Sequence, residues 1–323
     1  MISRIQSLAT AAGLAVLTTL GAFSVSQPAV AKTAAETRIV FVTHGQASDV
    51  YWSVVKAGLA DGAKAMGAKV EYFAPETWDV VKMQQMIDAA VASKPDGLVV
   101  SIPDSKALDP SVKKAVDAGI PVIVIDSGED DVKTVGARFY LGSASDYEAG
   151  KGAGVKMKEA GVSKAICINH EVGNVSLDQR CAGFKDGLGG GTVDIVAVTM
   201  DPTETATRVT GYLSAHPDIQ GILTLGPTPA APVLAALKKA DLLGKIKFGT
   251  FDLSTEVLEA VAKGDMLFCI DAQPYLLGYL PVVDLTLNAV NGTMPTSTIY
   301  TGPAFITKED AAMVVDLAKK GTR

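Results

Sequence analysis

From Arg38 onward the chain alternates short Val- and Ile-rich runs with stretches of helix length, and this alternation limits the fold more than any other feature. The runs are 38–42, 70–73, 97–100, 122–125, 165–169, 195–198, 222–225, 247–251 and 266–270. Most are uninterrupted, as strands buried on both faces of a parallel sheet should be. Between them lie amphipathic stretches near 51–66, 80–93, 107–118, 147–160, 177–188, 205–215, 230–240 and 255–263. In the first, Val54, Val55, Leu59, Ala63 and Met66 recur at helical spacing, and Gly67 supplies the stop. Gly161 and Gly264 play the same part after their helices. Alternating strand and helix specifies parallel sheets with helices on both faces. The 323 residues exceed one compact core, so the expectation is an α/β protein of two doubly wound parallel-sheet lobes. An eight-fold barrel fits less well, because the pattern restarts after 140–143 and the chain ends outside any repeat.

Composition excludes several classes. Hydrophobic residues make up 48% and charged residues 20%, which is globular rather than disordered. The net charge is −6 with no basic run, which argues against a nucleic-acid partner. Residues 1–31 have a positive start at Arg4, an apolar stretch from about Leu8 to Val25, and Ala29-Val30-Ala31 before Lys32. That is the pattern of a cleaved secretory signal peptide, and export to the periplasm is expected. Loss of Arg4 takes the net charge to −7. The apolar stretch is too short and too interrupted for a membrane anchor, and no cysteine near the cut invites a lipid. Export places the three cysteines in an oxidising space. Cys167 and Cys181 are open to two readings, a short-loop disulfide or two buried thiols; Cys269 reads as core.

In doubly wound sheets ligands bind at the carboxyl ends of the strands. The first run leads to His44, Asp49, Tyr51 and Trp52; the third to Ser101; the fourth to Asp126 and Ser127. Later runs lead to Asn169-His170-Glu171 with Asn174 and Asp178, then Gly226-Pro227, Asp252, and Asp271-Ala272-Gln273. Carboxylates and amides each take two sugar hydroxyls, and aromatic rings cover the C–H face of a sugar. Any one Asp suits a turn or helix cap equally well; their repetition at strand ends is what points to a hydroxylated ligand. Tyr51 and Trp52 open a helix, one expected to pack inward and the other to face the ligand. Enzyme signals are weak: the chain has no G-x-S-x-G, H-E-x-x-H or G-x-x-x-x-G-K-[ST] motif, and no EF-hand loop or Cys-rich zinc module. His170-Glu171 offers an acid/base pair without an evident nucleophile, and no cofactor or metal is expected.

Taken in order, these segments resemble the periplasmic sugar-binding proteins of ABC importers, the ribose- and galactose-binding type with the type I fold. The resemblance rests on Asp49-Val50-Tyr51-Trp52, the Asp-Gly-Leu-Val-Val-Ser run from Asp96, and Gly119-Ile120-Pro121-Val122 leading to Asp126. It continues through Arg180-Cys181-Ala182-Gly183-Phe184, the run from Ala215 to Ile222, Phe251-Asp252, Gln273-Pro274-Tyr275 and Gly278-Tyr279. It implies two lobes joined by a three-segment hinge: 37–140 with 273–297, and 141–272 with 298–323. By the same likeness Asp49, Tyr51, Trp52, Ser101, Asp126 and Asp252 fall at sugar-holding positions. Asp178 falls where ribose binders carry an Arg, and Arg180 matches a nearby family Arg. Three departures point away from ribose: Gly226-Pro227 replaces Asn-Asp, Ala272 replaces a Gln and is flanked by Asp271 and Gln273, and Ser127 replaces an Arg. The implied function is a monomeric, non-enzymatic solute receptor that binds a monosaccharide, polyol or amino sugar and docks on a membrane permease. A receptor feeding chemotaxis or a sensor kinase, and less so an exported hydrolase, stand as alternatives.

Overall fold

The computed structural model describes residues 32–46 and 48–323; the expected signal peptide, residues 1–31, lies outside the described residues. The first half of the chain runs β1 (Arg38–Val42), α1 (Val50–Met66), β2 (Lys69–Phe73), α2 (Val80–Ala92), β3 (Gly97–Val100), α3 (Ser105–Asp117), β4 (Val122–Ile125), α4 (Val132–Val135) and β5 (Phe139–Ser143). The second half repeats the scheme as α5 (Asp146–Glu159), β6 (Lys164–Asn169), α6 (Val175–Gly187), β7 (Thr192–Ala197), α7 (Pro202–Ala215), β8 (Gly221–Thr224), α8 (Pro227–Lys239), β9 (Lys247–Phe251), α9 (Thr255–Lys263) and β10 (Phe268–Asp271). The chain then returns through α10 (Pro274–Asn291), β11 (Ile299–Gly302), β12 (Ala304–Ile306) and α11 (Lys308–Lys319).

Two six-stranded sheets result, in the orders β11-β5-β4-β3-β1-β2 and β12-β10-β9-β8-β6-β7. All pairings are parallel except β10 with β12. Strand order therefore reverses between β1 and β3 in one lobe and between β6 and β8 in the other, where the crevice of a doubly wound sheet opens. Each sheet is covered on both faces. In the first, Val40, Val42, Leu98 and Val124 pack under Met83, Ile87 and Leu108, while Ile39, Phe41, Val99 and Ile123 pack against Trp52, Val55, Leu277 and Leu285. This period-two division is why the runs are apolar without a break.

The chain passes between the sheets three times, at 143–146, 271–274 and 302–304. The lobe boundary expected after Tyr140 falls inside β5, whose residues as far as Ser143 pair with β11 in the first sheet, so 299–302 also lie there. Backbone pairing with β11 carries the strand through Gly142 and Ser143. The long helix α10 was not among the expected helices, because Pro274, Gly278 and Pro281 punctuate it. Gly278 has a packing reason: a Cβ there would lie 1.9 Å from the Val55 carbonyl oxygen, and one at Gly58 would lie 2.0 Å from that of Tyr275. The two helices meet backbone to backbone at this pair.

Cys167 of β6 and Cys181 of α6 are joined in a disulfide, with Cα atoms 5.8 Å apart, while Cys269 is a buried free thiol. The bridge closes a loop of sequence separation 14, for which chain-entropy arguments give about 3 kcal/mol. Replacing both cysteines with alanine is expected to lower the unfolding free energy by about that amount in urea titrations. A loss under about 1 kcal/mol would show that the bridge constrains little.

Candidate functional site

The carboxyl ends of both sheets face one cleft, and a small cavity lies between them. His44, Asp49, Tyr51, Trp52 and Asp126 line it from the first lobe; His170, Glu171, Leu177, Arg180, Leu225, Gly226, Pro227 and Asp252 line it from the second.

Local structure sets each of these side chains. Asp49 is the N-cap of α1, its Oδ1 accepting from the Tyr51 amide at 3.1 Å, which fixes the start of the helix and turns Tyr51 and Trp52 onto the wall. Asp126 and Asp252 follow β4 and β9, strands that hold corresponding places in the two sheets. Both adopt left-handed backbone, with φ of 64° and 57°. Their amides donate to Leu141 and Ile270 carbonyls on the neighbouring strands, at 3.2 and 2.7 Å. Asp tolerates this conformation better than most residues, so each lobe aims one carboxylate into the cleft by the same device.

The hydrogen bonds are unevenly shared. Asp126 accepts from Tyr51 Oη at 2.6 Å and from Ser127 Oγ at 3.1 Å. Arg180 donates through Nε to Asp146 Oδ1 at 2.6 Å and through Nη1 to the Leu225 carbonyl at 3.3 Å, and its guanidinium lies over the Phe251 ring. By contrast, Asp252 Oδ1 and His170 Nδ1 are buried without any hydrogen-bond partner. Buried polar atoms are rarely left so, and these two sit on the wall of the cavity.

The cleft is closed. Gln46 Nε2 donates to Glu171 Oε1 at 3.3 Å, the Val175 amide to the Pro103 carbonyl at 3.0 Å, and Thr228 Oγ1 to Asp49 Oδ1 at 3.1 Å, each across the lobes. Closure dries the site and moves its titrations. Burial pushes the Glu171 carboxyl up to about 8, against the pull of the Asn174 and Gln46 amides, and pushes Asp49 up to about 6. Burial also raises Asp252, although Arg180 opposes the shift. His44 is lowered to about 4 and His170 to about 3, again by burial first, so both rings are neutral. Arg180 stays charged despite its burial, because Asp146, Asp252 and Asp126 surround it.

Of the residues singled out from sequence, His44, Asp49, Tyr51, Trp52, Asp126, Arg180, Gly226 and Asp252 meet at the cavity. Both aromatics reach the wall while also packing into the core, so the expected division between them does not hold. Three others stand behind the wall. Ser101 Oγ accepts from the His44 amide at 3.1 Å and lies 2.8 Å from its Nδ1, Ser127 supports Asp126, and Asn174 caps α6 and donates to Glu171. Asp178 is exposed and accepts from Asn169 Nδ2 at 2.9 Å, and it does not line the cavity. Asp271 and Gln273 belong to a crossing: Asp271 accepts from the Gln273 amide and pairs with Arg323, and Gln273 reaches the Thr301 carbonyl. The expectation that these last three line the cavity is corrected by their position. Sequence reasoning passed over His170 and Glu171 as binding residues, although both directly follow a strand end.

Among the described residues no group of His, Cys, Asp or Glu is placed to hold a metal ion, and no helix is long and apolar enough to cross a membrane. The chain is similar to a carbohydrate transporter from Acidothermus cellulolyticus solved with myo-inositol, at 33% identity and a TM-score of 0.84 over 89% of this chain and 99% of that one. It is 26% identical over 290 residues to a xylose/arabinose-binding protein of Sulfolobus acidocaldarius, covering 84% of this chain and 71% of that one. It is also 26% identical to a D-ribose/D-allose-binding protein of Pseudomonas aeruginosa over 79% of this chain and 83% of that one. These relatives are binding proteins rather than enzymes, and the two lobes with their three crossings are the type I periplasmic binding protein fold. A model of the periplasmic binding protein domain matches residues 39–293, and to that family this chain belongs.

Proposed function

We propose that the chain is the periplasmic solute receptor of an ABC importer and that it takes one small cyclic polyhydroxy molecule, a monosaccharide or cyclitol, into the inter-lobe cavity. The observation that carries this is the pair of unpartnered polar atoms, Asp252 Oδ1 and His170 Nδ1, on a wall shared with Tyr51, Trp52 and Asp126. Ring hydroxyls both donate and accept, so one molecule satisfies an acceptor and a neutral imidazole together. The ligands named for relatives, from pentoses to myo-inositol, are single-ring molecules of that class. Only the closed form brings both lobes onto the solute, so binding favours closure, and the closed form is what a permease would recognise. The disulfide is consistent with an exported protein.

A thermal-shift screen of pentoses, hexoses and inositols, followed by calorimetry, tests the reading: a binder raises the melting temperature by mass action. Asp126→Asn, which keeps the left-handed backbone, is expected to weaken that binder about 10- to 100-fold through loss of charge-assisted acceptance. A screen with no binder, or a variant of unchanged affinity, overturns it.

A further inference from the structure

The cavity's charges do not balance. Asp49, Asp126, Glu171 and Asp252 present four carboxyls to it, and Arg180 is the one basic side chain on its described wall that carries charge at neutral pH. That guanidinium is already committed: its Nε lies 2.6 Å from Asp146 and its Nη1 donates to a carbonyl, while it stands 3.8 Å from Asp252 Oδ2. Asp252 is 4% exposed, and its Oδ1 receives nothing. Buried carboxyls in such surplus either hold protons or take a cation, since leaving them charged and unpaired is costly. A neutral polyol donates hydroxyls but leaves the surplus standing, and an acidic sugar adds to it.

Resting on the reading of the cleft as a cyclic-polyol site, we infer that the preferred solute carries a basic nitrogen, an amino sugar or amino-cyclitol whose ammonium is received at Asp252 Oδ1. The remaining hydroxyls then go to Asp126 and His170, and the ring lies against Tyr51 and Trp52. The raised titrations of Asp252, Glu171 and Asp49 follow first from burial in a dry cavity and then from the neighbouring carboxylates, and are relieved by an incoming positive charge.

Matched solutes test this by calorimetry at neutral pH and low salt: glucosamine, N-acetylglucosamine and glucose; galactosamine and galactose; an amino-deoxyinositol and myo-inositol. At least one amine is expected to bind about tenfold or more tighter than both its hydroxyl parent and its uncharged N-acetyl form, since one well-placed charge pair is worth that much. Asp252→Asn should bring the ratio of amine to parent affinity toward one, whatever the absolute values. Parents that bind as tightly as their amines overturn the inference and leave the cyclic-polyol reading standing. If neither amines nor parents bind, that reading falls, and the inference with it.

Discussion

Arg180→Ala is expected to cost about 3–5 kcal/mol of stability, the range for removing one partner of a buried ion pair, and to abolish measurable solute binding. The guanidinium is 5% exposed and serves Asp146, which is 7% exposed, and Asp252, which is 4% exposed. Without it two carboxyls are left in low dielectric with no counter-charge, the Leu225 carbonyl loses a donor, and the Phe251 ring loses its cover. The loss must depend on pH. In the variant the folded-state titrations of Asp146 and Asp252 rise further, so the folded form holds protons that the unfolded form releases above its ordinary carboxyl range. Stability of the variant therefore falls as pH rises through that window, and the deficit is smaller at pH 5 than at pH 7.5. Arg180→Lys keeps the charge but not the planar fork, and recovers only part of the stability. Urea unfolding at the two pH values checks this; a deficit below about 1 kcal/mol, equal at both, would mean the site tolerates the naked carboxyls.

Arg180 also shows what was legible in the sequence. Leu177, Arg180, Cys181 and Phe184 share one face of α6 and are all buried, whereas Asp178 is exposed. Positions three and four apart share a helix face, so Arg180, three from Leu177 and four from Phe184, was placed inward by the apolar spacing, whereas Asp178 meets that spacing only at Cys181. Likeness in alignment suggested both. Asp126 and Asp252 were readable because the turn after a strand, the left-handed backbone and the residue type agree. Asp271 was misplaced by the same rule: β10 feeds a crossing between lobes, so its terminal carboxylate is consumed by the Gln273 amide and Arg323. The strands β11 and β12 escaped notice because each is three or four residues long and they flank Gly302-Pro303, which reads as loop. Their pairing is supplied by distant β5 and β10. Glu171 was visible as a strand-end acid, but its partners Gln46 and His44 lie more than a hundred residues away and only closure unites them.

That union makes closure itself sensitive to protons. In the closed protein Glu171 accepts from Asn174 Nδ2 at 2.9 Å and from Gln46 Nε2 across the cleft, with His44 Nε2 at 3.7 Å. Asp49 and Asp126 face it from the other lobe and add to the rise that burial causes; His44 and His170 are neutral there and contribute no charge. Opening returns Glu171 to water and to its ordinary value of 4.5, against about 8 when closed. His44 and His170, lowered when closed, oppose closure below their ordinary 6.5; between that value and the upper one the closed form holds the Glu171 proton that the open form lacks, so closure loses ground as pH climbs through the upper one. Within the window each pH unit moves the equilibrium by up to about 1.4 kcal/mol, or tenfold. The expected result is a protein whose radius of gyration by small-angle scattering, measured without solute, grows between pH 7 and pH 9. Glu171→Gln removes this titration and should stay closed to a higher pH than the wild type, keeping the dependence from Asp252, which burial also raises, and from Asp49, which is complete near 6. Equal dimensions for the wild-type protein at both pH values, or a variant that opens as the wild type does, would show that the Glu171 proton is not what holds the lobes together.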